Sequence, residues 1–189
     1  MVHRKAMRRW EVPGGVRFVT FSCHGRVPLM HNPSIRTLFA ERLAVVREAH
    51  GLRLFAWVVM PEHVHLLLSP GERPLGEALR SLKTSVARRV VARWRELDAS
   101  ILERVQVADG TARFWLRGGG YDRHVRSEEE FCREVRYIHR NPVERGLVPE
   151  PPDWAWSSAR WWAGDRRGVV ECDPPPGDRR NWAGWKGFM

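Results

Sequence analysis

An α+β fold, an antiparallel sheet flanked by helices on a ferredoxin-like plan, is what this sequence predicts, and three observations carry it. Short runs of β-branched and aromatic residues lie at 16–23, 53–60 and 63–69. Longer segments beginning near Asn32, Pro74 and Ser127 instead repeat apolar residues every three or four positions. The two kinds alternate as β-α-β-β-α-(β)-α, and the second and third strands are joined by only Pro61-Glu62, a connection short enough to make them an antiparallel hairpin.

The first strand, VRFVTFSC at 16–23, follows Gly14-Gly15. Asn32-Pro33 then supplies an N-cap and a proline at the first helical position, and Ile35, Leu38, Phe39, Leu43 and Val46 form an apolar stripe until Gly51. After the hairpin, Leu75, Leu79, Leu82, Val86, Val90, Trp94 and Leu97 mark an amphipathic helix of about six turns. Residues 98–120 are poorly patterned, with Phe114-Trp115-Leu116 as a candidate strand before Gly118-Gly119-Gly120. Ser127 with Glu130 is a capping box for the last long helix, which carries Phe131, Val135 and Ile138 and is expected to stop near Asn141 because Pro142 follows. From Pro149 the composition turns to Pro, Trp, Gly and Arg, with six of the ten tryptophans. The chain therefore divides into a domain at 1–148 and a wrapping tail at 149–189, in which Trp154, Trp156 and Trp161 cover the domain.

With 189 residues the chain can bury a real core, and no apolar run approaches the ~20 residues of a membrane helix. The basic N-terminus, with Arg4, Lys5, Arg8 and Arg9, is not followed by an apolar stretch, so a secretory leader is not expected and an intracellular site is. Cys23, Cys132 and Cys172 have no pairing framework and read as reduced, mostly buried thiols. The 32 basic against 22 acidic residues leave a net charge of +10, and 29 of the bases are arginine, which suits bidentate contact with phosphate. A polyanion partner is the default expectation. Arg80, Lys83, Arg88 and Arg89 lie in a stretch without an acid between Arg80 and Arg95, and this helix face is either a phosphate track or a solvated surface.

Two patterns carry chemistry. His63 and His65, at i and i+2 in a strand, place both imidazoles on one sheet face, where they can bind one metal ion or form a satisfied structural pair. Tyr137 is one of only two tyrosines, the other being Tyr121. Arg133 and Asn141 flank it one helical turn away on either side, with Arg136 and Arg140 close by. A phenol is a weak nucleophile near neutral pH, and nearby guanidinium groups or a metal favour the phenolate; ordinary half-buried packing is the alternative role.

MPEHVHLLL at 60–68 and YIHRNPVERGLV at 137–148, with YDRHVR at 121–126 and DWAWSS at 153–158, resemble the single-tyrosine HUH transposase superfamily. The Asn-Pro after the tyrosine is most similar to the REP-associated tyrosine transposases; insertion-sequence members usually place Gln where Asn141 stands. The resemblance implies the HUH endonuclease fold and a single-stranded DNA endonuclease and strand transferase acting beside a hairpin, such as a repetitive palindromic element. It implies His63, His65 and Asn141 as ligands of Mg²⁺ or Mn²⁺, and Tyr137 as the nucleophile forming a 5′-phosphotyrosine. DNA contacts are expected from Arg80, Lys83, Arg88, Arg89, His124, Arg126, Arg133, Arg136 and Arg140. The expected protein is a monomer or homodimer in the cytoplasm, associated with the nucleoid. Two rivals are a hairpin-binding regulator without cleavage and a metal-dependent hydrolase using water.

Overall fold

The computed structural model describes residues 14–118 and 120–176. The basic N-terminal positions, Gly119 and the segment 181–189 lie outside them. Four strands, β1 Arg17–Ser22, β2 Arg53–Val59, β3 His63–Ser69 and β4 Tyr121–His124, form one antiparallel sheet in the order β2-β3-β1-β4. The helices are α1 Pro33–Ala49, α2 Leu75–Glu96, α3 Ile101–Val105, α4 Glu128–Glu144 and α5 Ala159–Trp162. The predicted α+β class, an antiparallel sheet flanked by helices, is the observed one.

Local chemistry sets the helix starts. Asn32 caps α1 by accepting the Ser34 amide at 2.9 Å, and Ser127 caps α4 by accepting the Glu130 amide at 3.1 Å. The returning Glu130 carboxylate takes the Arg126 amide at 2.8 Å, one residue before the cap. The β2-β3 turn closes with the Met60 amide donating to the His63 carbonyl at 2.8 Å.

Strand alternation divides the core into two layers. On one face Val19, Phe21, Val64, Leu66 and Leu68 pack beneath α1 and α2. On the other, Phe18, Ala56, Val58 and Leu67 pack beneath Phe131, Val135 and Ile138 of α4. The outer edge of β2 is covered by the C-terminal segment: Val59 donates to the Trp156 carbonyl, Ser158 to that of Trp57 (both 2.9 Å), and Asp173 accepts the Leu54 amide at 2.8 Å. Trp154 is buried there and donates to the Val59 carbonyl at 3.0 Å, while the Arg36 guanidinium lies 3.9 Å over the Trp156 ring.

Several expectations need correction. Phe114-Trp115-Leu116 is not a strand; Phe114 and Trp115 are buried, and Trp115 forms a single bridge with Cys23. The fourth strand is the polar YDRH at 121–124, an edge strand in which Asp122, Arg123 and His124 find polar partners, so it carries no apolar alternation. The short helix α3 lies in the stretch that showed no periodicity. Finally, α4 runs through Pro142 to Glu144, because the ring removes one amide from the last turn while Arg145 still donates to the Asn141 carbonyl at 3.1 Å. The three cysteines are free thiols; Cys23 and Cys172 are buried, and burial pushes the Cys23 thiol up to about 12. No helix among the described residues is long and apolar enough to cross a membrane.

Candidate active site

β3 and α4 bring the sequence-marked residues to one place. In β3, His65 pairs with Thr20 of β1 and Val58 of β2, and His63 pairs with Ser22, so both imidazoles stand on the α4 face. Their ring centroids are 4.6 Å apart. Tyr137 and Asn141 descend from α4 one turn apart, and the Tyr137 ring centroid lies 5.1 Å from that of His65. These four side chains line a cleft of about 670 Å³ together with Thr20, Glu62, Arg26 and Arg145.

Hydrogen bonds fix the imidazoles. His65 Nδ1 lies 2.7 Å from Thr20 Oγ1, and His63 Nδ1 lies 3.0 Å from Glu62 Oε1. Engaging Nδ1 in both rings leaves Nε2 as the atom that could take a metal, a common outer-shell arrangement at metal sites. Burial pushes His65 down to about 3, helped by the charge of His63. Burial also lowers His63, with Glu62 pulling it partly back. Both rings are thus neutral near pH 7, the state that binds metal.

Asn141 Nδ2 lies 3.5 Å from His65 Nε2, while Asn141 Oδ1 is buried without a hydrogen-bond partner. A buried carbonyl oxygen of this kind is costly unless something satisfies it. Two neutral imidazoles beside an orphaned amide oxygen fit a divalent cation, and the nitrogen donors suit Mn²⁺ better than Mg²⁺. Among the described residues no group of three or more His, Cys, Asp or Glu side chains could hold a metal, so such a site depends on the amide.

The expected DNA contacts scatter. Arg80, Lys83 and Arg88 line a separate groove of about 540 Å³ on the α2 side, with Arg113, Trp115 and Gly118; Arg89 is exposed on the same helix. His124 is not in the cleft; it pairs across the sheet with Arg17, its Nε2 2.7 Å from Arg17 Nη1. Arg126 is exposed between β4 and α4. Arg133 lies beside Glu134, its Nε 3.5 Å from Oε1, and Arg140 lies 3.7 Å from Glu144. Arg136 is exposed on α4. The arginines that line the cleft are instead Arg26 and Arg145. Arg145 continues the stripe of Arg133, Tyr137 and Asn141, and ending the helix at Pro142 hid it. It pairs with Glu62, the residue that holds His63.

Residues 17–110 match the family described as "Transposase IS200 like". Just under half of the chain is therefore similar to IS200-like transposases. The matched span contains His63 and His65 and ends before α4. A REP-associated tyrosine transposase of Escherichia coli is 27% identical over 169 residues, covering 84% of this chain and 90% of that protein. A second relative, from Haemophilus influenzae, is 26% identical over 153 residues, covering 80% of this chain and 83% of that one. A solved REP-associated tyrosine transposase bound to a REP hairpin superposes with a TM-score of 0.63 at 22% identity, over 93% of each chain, and so shares the fold. The transposase resemblance of the motifs and the family match therefore agree.

Proposed function

We propose that this transposase-type chain cuts and rejoins single-stranded DNA beside a hairpin, with Tyr137 as nucleophile. The observation that supports it most is the convergence of Tyr137 with His63, His65 and Asn141 on one cleft in a strongly basic chain. Tyr137 Oη attacks the scissile phosphorus and the phenolic proton is lost. The P–O3′ bond breaks, and the departing oxygen takes a proton to become a free 3′-hydroxyl. The DNA 5′ end is left on tyrosine. Attack by an incoming 3′-hydroxyl reverses the step and joins a new strand, so the bond energy is conserved without a nucleotide cofactor.

His63, His65 and Asn141 would hold a divalent cation, Mg²⁺ or Mn²⁺, which when bound would supply Lewis-acid polarisation of the phosphate. Thr20 and Glu62 hold the two imidazoles, and Arg26 and Arg145 border the cleft where phosphate charge must be balanced. The partner is DNA carrying a hairpin of the kind bound by the structural relative, engaged in the cytoplasm by a monomer or homodimer. Incubation with Mn²⁺ and a hairpin oligonucleotide bearing single-stranded flanks tests this. A protein–DNA adduct that survives denaturation is expected, absent with EDTA and in Tyr137→Phe. An adduct formed by Tyr137→Phe but not by Tyr121→Phe overturns the assignment.

A further inference from the structure

Beside the catalytic cleft lies a second recess of about 470 Å³ between β4 and α4. It shares Thr20, His65 and Tyr137 with the cleft, so the two open onto each other around the nucleophile. Its other walls are Phe18, Tyr121, Arg123, Arg133 and Glu134. Tyr121 is 56% exposed and Tyr137 41%; no other Phe, Tyr or Trp ring among the described residues is so open. Phe18 is buried beneath both, meeting the tyrosine rings edge-on at 6.3 Å and 5.9 Å. The Arg123 guanidinium lies 5.8 Å over the Phe18 ring.

The position of Tyr121 is built into the backbone. Gly120 has φ +74°, and a Cβ there would lie 2.1 Å from the Thr20 carbonyl oxygen. Only glycine lets β4 approach β1 this closely, and the approach pairs Tyr121 with Thr20 at the rim of the cleft. Glu134 faces the same recess from α4 and is only 7% exposed; Arg123 and Arg133 both approach its Oε1.

An open aromatic ring is ordinary on an edge strand, but one that walls a recess opening onto a nucleophile, opposite a buried carboxylate, is suited to a nucleobase. Arg123 and Arg133 also face the recess, but both are engaged by the Glu134 carboxylate, which would repel a phosphate placed there. A base instead offers a π face to the ring and, in cytosine, adenine and guanine, an exocyclic amine that a carboxylate accepts. Thymine has no such amine. Resting on the function proposed above, we infer that this recess is a nucleobase subsite, which takes an unpaired base adjoining the scissile phosphate, stacks it on Tyr121 and reads its amine through Glu134. Tyr121 is then a base-stacking residue and Glu134 the specificity-determining one, and Tyr121 is not a spare nucleophile.

The test uses the full chain and hairpin oligonucleotides with 2-aminopurine at either nucleotide flanking the scissile phosphate, without added metal, so that binding is read apart from cleavage. Stacking on Tyr121 quenches the fluorescence at one of the two positions. Tyr121→Ala, an exposed site that does not threaten folding, is expected to abolish that quenching and weaken binding about tenfold. Glu134→Gln, checked for an unchanged melting temperature, is expected to reduce a preference of about tenfold for cytosine over thymine at that position to near parity. Wild-type quenching and affinity retained in Tyr121→Ala overturn the inference. Intact quenching with no covalent adduct under Mn²⁺ leaves the subsite standing and removes the cleavage reading instead.

Discussion

The two faces of the sheet are built from the same strands and do different work. In β3, Val64, Leu66 and Leu68 are fully buried beneath α1 and α2, while His63 and His65 point the other way. The α1 and α2 face is closed by apolar packing. The α4 face is closed only over Phe131, Val135 and Ile138, and on the neighbouring stripe of the helix Tyr137 and Asn141 stand over imidazoles. The candidate site occupies the place where the apolar layer is interrupted, and the intact layer on the far side holds the strand that presents it. Perturbing one side should therefore spare the other.

The largest effect is expected at the interruption itself. His63→Ala removes one neutral nitrogen donor from a cleft whose other donors remain, and should lower Mn²⁺-dependent adduct formation by at least about a hundredfold. Hairpin affinity should fall by less than about threefold. Calorimetric titration of Mn²⁺ and binding by fluorescence anisotropy check the two halves. Equal losses in both would mean that the imidazoles serve DNA binding and not a cation.

The converse lies one residue beyond His65. Leu66→Ala empties a fully buried position in the α1 and α2 layer and should cost about 2 to 5 kcal/mol of stability, measured by urea unfolding. Adduct formation per folded molecule should stay within about twofold of wild type. A specific loss of activity at full folding would show that the two layers are not separable.

How far the sequence foretells this arrangement follows from the same division. The His-x-His alternation and the helical turn from Tyr137 to Asn141 are local, so the residues that converge are legible before the fold is known. Thr20 is not, because its bond to His65 depends on a pairing 45 residues apart in sequence. Arg145 is hidden by Pro142, since a rule about the residue before proline is weaker than the packing that carries α4 onward. The strand at Tyr121–His124 lacks apolar alternation because it is an edge, and without its register His124 cannot be assigned to the Arg17 side of the sheet.

Acid should act through buried rings on the α4 face. His65 and His139 are both pushed down to about 3, His65 by burial and the charge of His63 and His139 by burial alone, and His139 Nε2 lies 2.9 Å from Ser158 Oγ. In the unfolded chain each regains a value near 6.5, so between pH 6.5 and about 3 the unfolded state binds the extra protons. Stability is therefore present in full above pH 6.5 and falls on acidification, by roughly 1.4 kcal/mol per pH unit for each ring, or about 2 kcal/mol per ring at pH 5. Urea unfolding across pH 7 to 5 measures the slope. His139→Gln should lower overall stability and flatten the slope by about half, and a parallel curve would place the acid sensitivity elsewhere.

The smallest effect is expected from the cationic groove on the side away from the cleft. On α4, Arg133 and Arg140 lie near Glu130, Glu134 and Glu144, which partly neutralise them. On α2, no acid among the described residues pairs with Arg80, Arg88 or Arg89, and all three are exposed. Unneutralised arginines of this kind gain most from releasing the counterions of a nucleic acid. Gly118 lines this groove, and Tyr121, three residues on, lines the recess beside Tyr137. Replacing Arg80, Lys83, Arg88 and Arg89 by alanine should therefore weaken binding without changing the adduct formed at saturating DNA. The slope of log affinity against log salt should drop by roughly 0.7 for each phosphate that the variant no longer neutralises. An unchanged slope would assign the α2 face to solvent and confine the DNA footprint to the interrupted side of the sheet.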